Sequence, residues 1–429
     1  MLYIVGGVPM VEPNFKFGGP IEPKLFYNRE KEVKFLLNQL SEIKKGVQHN
    51  YALVGPRRTG KSSLLQFLQI ELRKKKAIIP VVVDCEGREI AERLELTLET
   101  FLEAYSGAVI DAYITYAKLG DKIKIRLKEL VMGAKDKIIA GLAEALGSTK
   151  ALELKTLSDY LTLRVEFEKL TSKPSEREVI RFFEDTISLP EKLGKEKNVF
   201  FVMMLDEFQY TAKFIRPVHF LPAFRRHVQK QKRVAYMLSG SSIGMMEDIL
   251  QGMPFGGHIP IEWVDSFDNV IAKKFLKDRF KKARRTINDN NIEKIVNITN
   301  SHPAYLNWFG EQCCRETVKG EKITPELIVE LEEKIFEREG LRHIFEGDIA
   351  KISPRKGKIL QTFIEMAGHD LNSPTEISKH LPRTKPSEVI IYLKRLEKKG
   401  FVKKQKKGDY RIVDQMLKKY VKEKIHTTP

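Results

Sequence analysis

The stretch LVGPRRTGKSSLL, Leu53 to Leu65, constrains this chain more than any other. Gly55 and Gly60 bracket Pro56, Arg57, Arg58 and Thr59, and Lys61, Ser62 and Ser63 follow. Glycines at both ends let the backbone turn tightly enough for successive N–H groups to converge on an anion at a helix N-terminus. Lys61 supplies a point charge for the β and γ phosphates of a nucleotide, and the Ser62 hydroxyl suits Mg²⁺. The apolar YALV before the loop reads as a buried strand, and SSLLQFLQIELRKKK after it reads as a helix. A phosphate loop requires that context.

Further apolar runs read as strands: AIIPVVVDC (77–85), VFFVMMLDEFQ (199–209), VAYMLSGSS (234–242) and HIPIEWV (258–264). Near-continuous apolar strands separated by helices imply a parallel sheet covered on both faces. The expected fold class is therefore α/β, a P-loop NTPase with a parallel sheet of about five strands, a helical lid and a C-terminal winged helix. Residues 26–40, FYNREKEVKFLLNQL, read as a helix with Asn28 as its N-cap. Expected boundaries are an N-terminal linker at 1–25, a nucleotide-binding core at 26–265 with a helical insertion at about 96–189, a lid at 266–350 and the winged helix at 351–429. KDKIIAGLAEALG, within the insertion, has the spacing of a packed helix.

A phosphate loop needs a second metal ligand on a neighbouring strand, and the apolar run ending in Asp206 and Glu207 provides it. Asp206 is placed to hold Mg²⁺, and Glu207 to polarise an attacking water. Simple switch GTPases usually lack that second acid, and no N-K-x-D guanine motif is present, so ATP is the expected nucleotide. Arg57 and Arg58 are candidates for phosphate or nucleic-acid contact. Arg225 and Arg226 are candidates for an arginine finger acting in trans in a homo-oligomer.

These segments, with FKFGGPIEPKLFYNREKEV, MLSGSSIGMMEDIL, SHPAYL and a terminal GDYRIVDQMLKKY, resemble in kind and order the archaeal ATPases of the additional-strand P-loop class, related to AAA+ origin-recognition proteins and STAND NTPases. The resemblance spans nearly the whole chain. It implies that Phe26, Tyr27, Asn28 and Arg29 lie near the adenine. It also implies that a sensor hydroxyl comes from Ser239, Ser241 or Ser242, with Ser241 taken as catalytic, and that Pro303 lies at the nucleotide. The sensor asparagine common in relatives is absent, and SHPAYL lacks the glycine of the usual Gly-x-Pro lid motif. His302 reads as a helix cap.

Net charge is +18, of which the segment from Lys351 to Pro429, with 20 Lys and Arg against 8 Asp and Glu, carries +12. Charge concentrated at one end is the footprint of a polyanion partner. Three helical segments followed by a hairpin around Gly408 read as a winged helix–turn–helix. Lys385, Ser387, Lys394 and Arg395 are then candidates for groove and phosphate contacts, and Lys403, Lys404, Lys406 and Lys407 form a basic wing. The expected partner is duplex DNA. Cys85, Cys313 and Cys314 have no metal-ligand spacing, no run is long enough to span a membrane, and the N-terminus lacks the basic region of a signal peptide. A cytoplasmic protein is expected. Two functional classes remain: a DNA-associated ATPase, and a STAND-like switch whose winged helix contacts protein.

Overall fold

The computed structural model describes residues 14–86, 97–117, 175–252, 259–337, 340–353 and 357–427. Five strands form one parallel sheet: β1 (Tyr51–Val54), β2 (Ile78–Asp84), β3 (Phe200–Asp206), β4 (Val234–Gly240) and β5 (Ile261–Trp263), in the order β2-β3-β4-β1-β5. Leu205 pairs with Leu238, and Val54 with Gly240, so β1, β3 and β4 end level. The residues after them therefore share one edge of the sheet, the carboxyl edge where open α/β sheets bind ligands.

Strand alternation explains the apolar runs. Val202 and Met204 on β3 face one side, where Leu64, Leu65, Leu68 and Leu72 of the P-loop helix (Lys61–Arg73) pack with Leu36 and Leu40 of the helix Glu30–Ser41. Phe201, Met203 and Leu205 face the other side, against the helices Leu98–Tyr116, Glu176–Lys197 and Phe220–Lys230. With both faces covered, a polar residue inside any central strand would be buried without water. KDKIIAGLAEALG falls outside the described residues.

The expected N-cap at Asn28 is displaced by one residue: Arg29 caps the helix Glu30–Ser41 without a side-chain bond, and Asn28 and Arg29 both adopt positive φ, 62° and 73°. Two left-handed residues in a row turn the chain sharply, which a single N-cap at Asn28 does not provide. The segment read as a linker is packed from Phe15 onward. The Phe15 ring lies against Phe275 and Phe280, and a Cβ on Gly310 would strike it at 2.3 Å.

After β5 come the helices Asn269–Lys282, Asp289–Thr299, Pro303–Arg315, Pro325–Lys334 and Arg342–Ile352. Asp268, Asn288 and Thr324 cap three of them by accepting a backbone N–H. The helices Lys358–Gly368, Pro374–His380 and Pro386–Lys398 follow, then an antiparallel hairpin of β6 (Val402–Lys406) and β7 (Asp409–Ile412) and a last helix, Gln415–Thr427. One hydrophobic cluster runs unbroken from Phe15 through these helices to Val421. Among the described residues no helix is long and apolar enough to cross a membrane.

Candidate nucleotide site

Gly55 is required by a close approach: a Cβ there would stand 2.1 Å from the Val264 carbonyl just beyond β5. Gly60 is required by conformation, with φ at 99°. Between them the Thr59 hydroxyl donates to the Pro56 carbonyl (3.0 Å), tightening the loop from inside. The Lys61 ammonium is buried and donates to the carbonyls of Gly55 (2.9 Å) and Pro56 (2.6 Å). Burial depresses it from 10.5 to about 8, against the opposing pull of Glu207 and Asp206. The Ser62 hydroxyl donates to Asp206 Oδ2 at 2.5 Å, so the loop serine and the β3 carboxylate converge as oxygen donors. Ser63 instead accepts the Ile21 N–H and ties down the N-terminal segment.

Beside Asp206 at the end of β3, Glu207 takes a left-handed conformation (φ 51°, ψ 41°) that costs on the order of 1 kcal/mol for a non-glycine residue. The turn aims its carboxylate at β4. There Oε2 accepts from the Ser241 hydroxyl (2.7 Å), the Ser241 N–H (3.3 Å) and the Gln209 amide. The two carboxyls are driven apart. Burial and the Glu207 charge raise Asp206, against the Ser62 hydroxyl and Lys61. Burial would raise Glu207 too, but the Lys61 charge and the Gln209 and Ser241 donors prevail and hold it below the usual carboxylate range. An ionised carboxylate with fixed donors beside a lysine can serve as a base. Hard oxygen donors at Ser62 and Asp206 suit Mg²⁺, which takes few protein ligands and completes its shell with water and phosphate.

The other expected residues divide. Arg29 is buried and donates to the carbonyls of Asp265 (2.6 Å) and Thr59 (3.4 Å), joining the turn before its helix to the loop. Phe26 stacks on Phe67 of the P-loop helix at 4.6 Å. Tyr27 turns toward the helix Asn269–Lys282, donating to Asp278 (2.7 Å) and packing edge-on to Phe275. Asn28 is half-buried. Arg58 is committed to Asp348, 2.6 Å away on the helix Arg342–Ile352 and 2% exposed, rather than held free for phosphate. The Arg57 guanidinium stands 5.9 Å from the centroid of Phe401. Pro303 begins its helix, and His302 occupies the N-cap position without capping. The His302 ring bonds the Arg57 carbonyl (3.1 Å) and lies on Tyr305, and burial lowers its pKa and keeps it neutral. Ser239 is fully buried. Arg225 is half-buried and Arg226 exposed on the helix Phe220–Lys230, a separate element from the loop.

The C-terminal helices and hairpin sit directly against this site. The Ser242 hydroxyl points to the Lys399 carbonyl (3.5 Å), and a Cβ on Gly400 would meet the Ser241 carbonyl at 2.6 Å. Lys398 pairs with Asp248 at 2.7 Å. The C-terminal end of the helix Pro386–Lys398 is therefore docked, while Lys385, Ser387, Lys394 and Arg395 are exposed. Lys403, Lys404, Lys406 and Lys407 are exposed on the hairpin, with Lys403 leaning over the Trp263 ring (5.8 Å). A cavity of about 300 Å³ lies at the junction, with Arg57, His302, Tyr305, Phe401, Arg411 and Asp414 among its walls.

Gln209, Asp348 and Phe401 are the neighbours that sequence reasoning missed. Gln209 lies two residues past Glu207 within the same motif, so its position was a signal. Asp348 and Phe401 reach the loop across 290 and more residues of chain, and no local pattern marks them.

A family model described as an ATPase domain predominantly from Archaea matches residues 26–309. The chain is similar to the Walker-type ATPase of Pyrococcus abyssi, with 19% identity and a TM-score of 0.66, covering 95% of this chain and 99% of that one. It is also similar to the Aeropyrum pernix ORC2 protein in its ADPNP–ADP complexes, with 11% identity and a TM-score of 0.50, covering 94% and 96%. At these identities the likeness is one of fold. No curated protein matches the chain at a significant level.

Proposed function

Because the chain belongs to the family of ATPase domains found predominantly in Archaea, we propose that it is a Mg²⁺-dependent ATPase whose nucleotide state governs how its basic C-terminal unit meets duplex DNA. The backbone N–H groups from Arg57 to Ser63 and the Lys61 ammonium hold the phosphates, and Ser62 and Asp206 hold the metal. When bound, Mg²⁺ neutralises charge on the β and γ phosphate oxygens. Glu207 accepts a proton from the water whose oxygen attacks the γ-phosphorus, as the bond to the ADP oxygen breaks. Ser241 and Gln209 orient that carboxylate. The segment around Tyr27, Asn28 and Arg29 closes over the base, and Arg57 approaches the phosphates from the loop.

A single observation carries the coupling to DNA. Ser241 holds Glu207 through its hydroxyl and packs against Gly400 through its carbonyl. One residue thus lies between the base and the end of the helix Pro386–Lys398. When γ-phosphate leaves, any shift of Glu207 is felt at that helix, whose N-terminal end, the part that enters a groove in winged helix–turn–helix proteins, carries the exposed Ser387 behind the N-cap Lys385, with Lys394 exposed two turns further on. The four wing lysines supply phosphate contacts, and the +12 charge of the segment supports a polyanion. One observation favours the second reading, a switch that contacts protein: Ile390 and Ile391 on that helix are exposed, 37% and 51%.

The test is ATP turnover by the full chain with and without duplex DNA. Wild type hydrolyses ATP at a rate that DNA changes, and Lys61→Ala binds no nucleotide. Turnover indifferent to DNA, in a chain that does not bind DNA at low salt, transfers the assignment to the protein-contact switch.

A further inference from the structure

We infer that the C-terminal unit carries a second metal site, for a divalent transition ion such as Zn²⁺, built by Glu365, His369 and His380. Glu365 and His369 lie one turn apart at the end of the helix Lys358–Gly368, and His380 is the last residue of the helix Pro374–His380. One ligand atom from each lies within 4.8 Å of the other two. Glu365 Oε2 is 3.5 Å from His369 Nε2 and 3.6 Å from His380 Nδ1. Those separations exceed the roughly 2.7–3.2 Å of a hydrogen bond, although they lie within ion-pair range of a protonated ring. They match two ligands that share one ion: with bonds of about 2.0–2.2 Å and tetrahedral angles, neighbouring donors stand roughly 3.3–3.6 Å apart.

The two rings lie with centroids 4.6 Å apart and tilted by 35°. The ligand set selects the ion. Imidazole nitrogen suits Zn²⁺, Ni²⁺, Co²⁺ and Cu²⁺, whereas Mg²⁺ prefers oxygen, so this site stays distinct from the Ser62–Asp206 pair in the presence of Mg²⁺. Three protein ligands leave a fourth tetrahedral position for water or a partner's group. An ion here clamps the ends of the two helices that precede the Pro386–Lys398 helix. None of its three residues takes part in the hydrogen bonds that build the nucleotide site.

Metal-stripped full-length protein, with excess Mg²⁺ and ADP, is titrated with Co²⁺ and followed by visible absorption. The expected result is one equivalent of Co²⁺ with the intense bands of tetrahedral coordination, displaced by Zn²⁺. His369→Ala and His380→Ala should each weaken Co²⁺ binding at least about tenfold, with Glu365→Gln showing a comparable loss. ATP turnover with Mg²⁺ alone should be unchanged in each variant, which verifies that each is folded. Absence of the tetrahedral bands in the wild type, or bands that persist at full strength in the folded His369→Ala/His380→Ala double variant, would overturn the site.

Discussion

Replacing Glu207 with glutamine isolates the proposed chemistry because the surroundings tolerate the exchange. Glu207 Oε2 accepts from Ser241 and Gln209, and the Gln209 amide oxygen is buried without a partner. All of these donors meet the one atom Oε2, so a glutamine whose oxygen takes that position keeps them, and its NH₂ group replaces Oε1. The fold and the phosphate loop should therefore survive. What is lost is a proton acceptor that the Lys61 charge and two donors hold ionised at neutral pH. Removing a positioned base slows turnover by ~10²–10⁴-fold. At about 1.4 kcal/mol per tenfold, the barrier rises by about 3–5 kcal/mol. Single-turnover phosphate release measures the rate, and nucleotide-dependent melting verifies that ATP still binds. If Glu207→Gln released phosphate at the wild-type rate, the base would lie elsewhere and the role of Ser241 would fall with it.

Other outcomes follow from the same geometry. Lys61 sits at about 8 when the loop holds no phosphate, and an anion beside it favours the charged form, so binding raises its pKa. Below pH 8 binding should take up no proton. Above it, ATP affinity should fall by up to about tenfold per pH unit, with proton uptake visible by calorimetry in buffers of different ionisation enthalpy. Arg58→Ala leaves Asp348 buried and unpaired and should destabilise the protein by about 3–5 kcal/mol, read from denaturant midpoints. Adding Asp348→Asn should return part of that loss, and strictly additive effects would show that the pair is not coupled. Replacing Lys403, Lys404, Lys406 and Lys407 with glutamine should weaken DNA binding to all sequences alike and flatten its salt dependence. Each lost phosphate contact should reduce the slope by ~0.9.

Local signals made the core of this molecule legible. All five strands lie within apolar runs of the sequence; β1 to β4 are largely buried and tolerate few polar residues, whereas β5, at the sheet edge, carries Glu262 and the exposed Trp263. The convergence of the loop glycines, Lys61, Ser62 and Asp206 was legible because a phosphate loop, as proposed here, calls for those residue types at fixed spacing. The turn at Asn28 and Arg29 was not, since two left-handed residues outside glycine carry no strong composition signal. Nor was the diversion of Arg58 to Asp348 and of His302 to the Arg57 carbonyl, because those contacts are made by packing between segments hundreds of residues apart. The docking of Gly400 on Ser241 belongs to the same class: a glycine after a helix reads as a C-cap, and its closeness to another backbone appears once the chain is folded.

Whether nucleotide state and DNA binding are coupled is decided by the affinity of full-length protein for one DNA duplex in two nucleotide states at the same salt. Glu207→Gln held with Mg²⁺–ATP represents one state, and the same variant with Mg²⁺–ADP the other. Two different dissociation constants are expected, and, by linkage, the same ratio when ATP and ADP affinities are measured with and without DNA. Equal affinities in both states, with DNA bound, would contradict the coupling through Ser241 and Gly400.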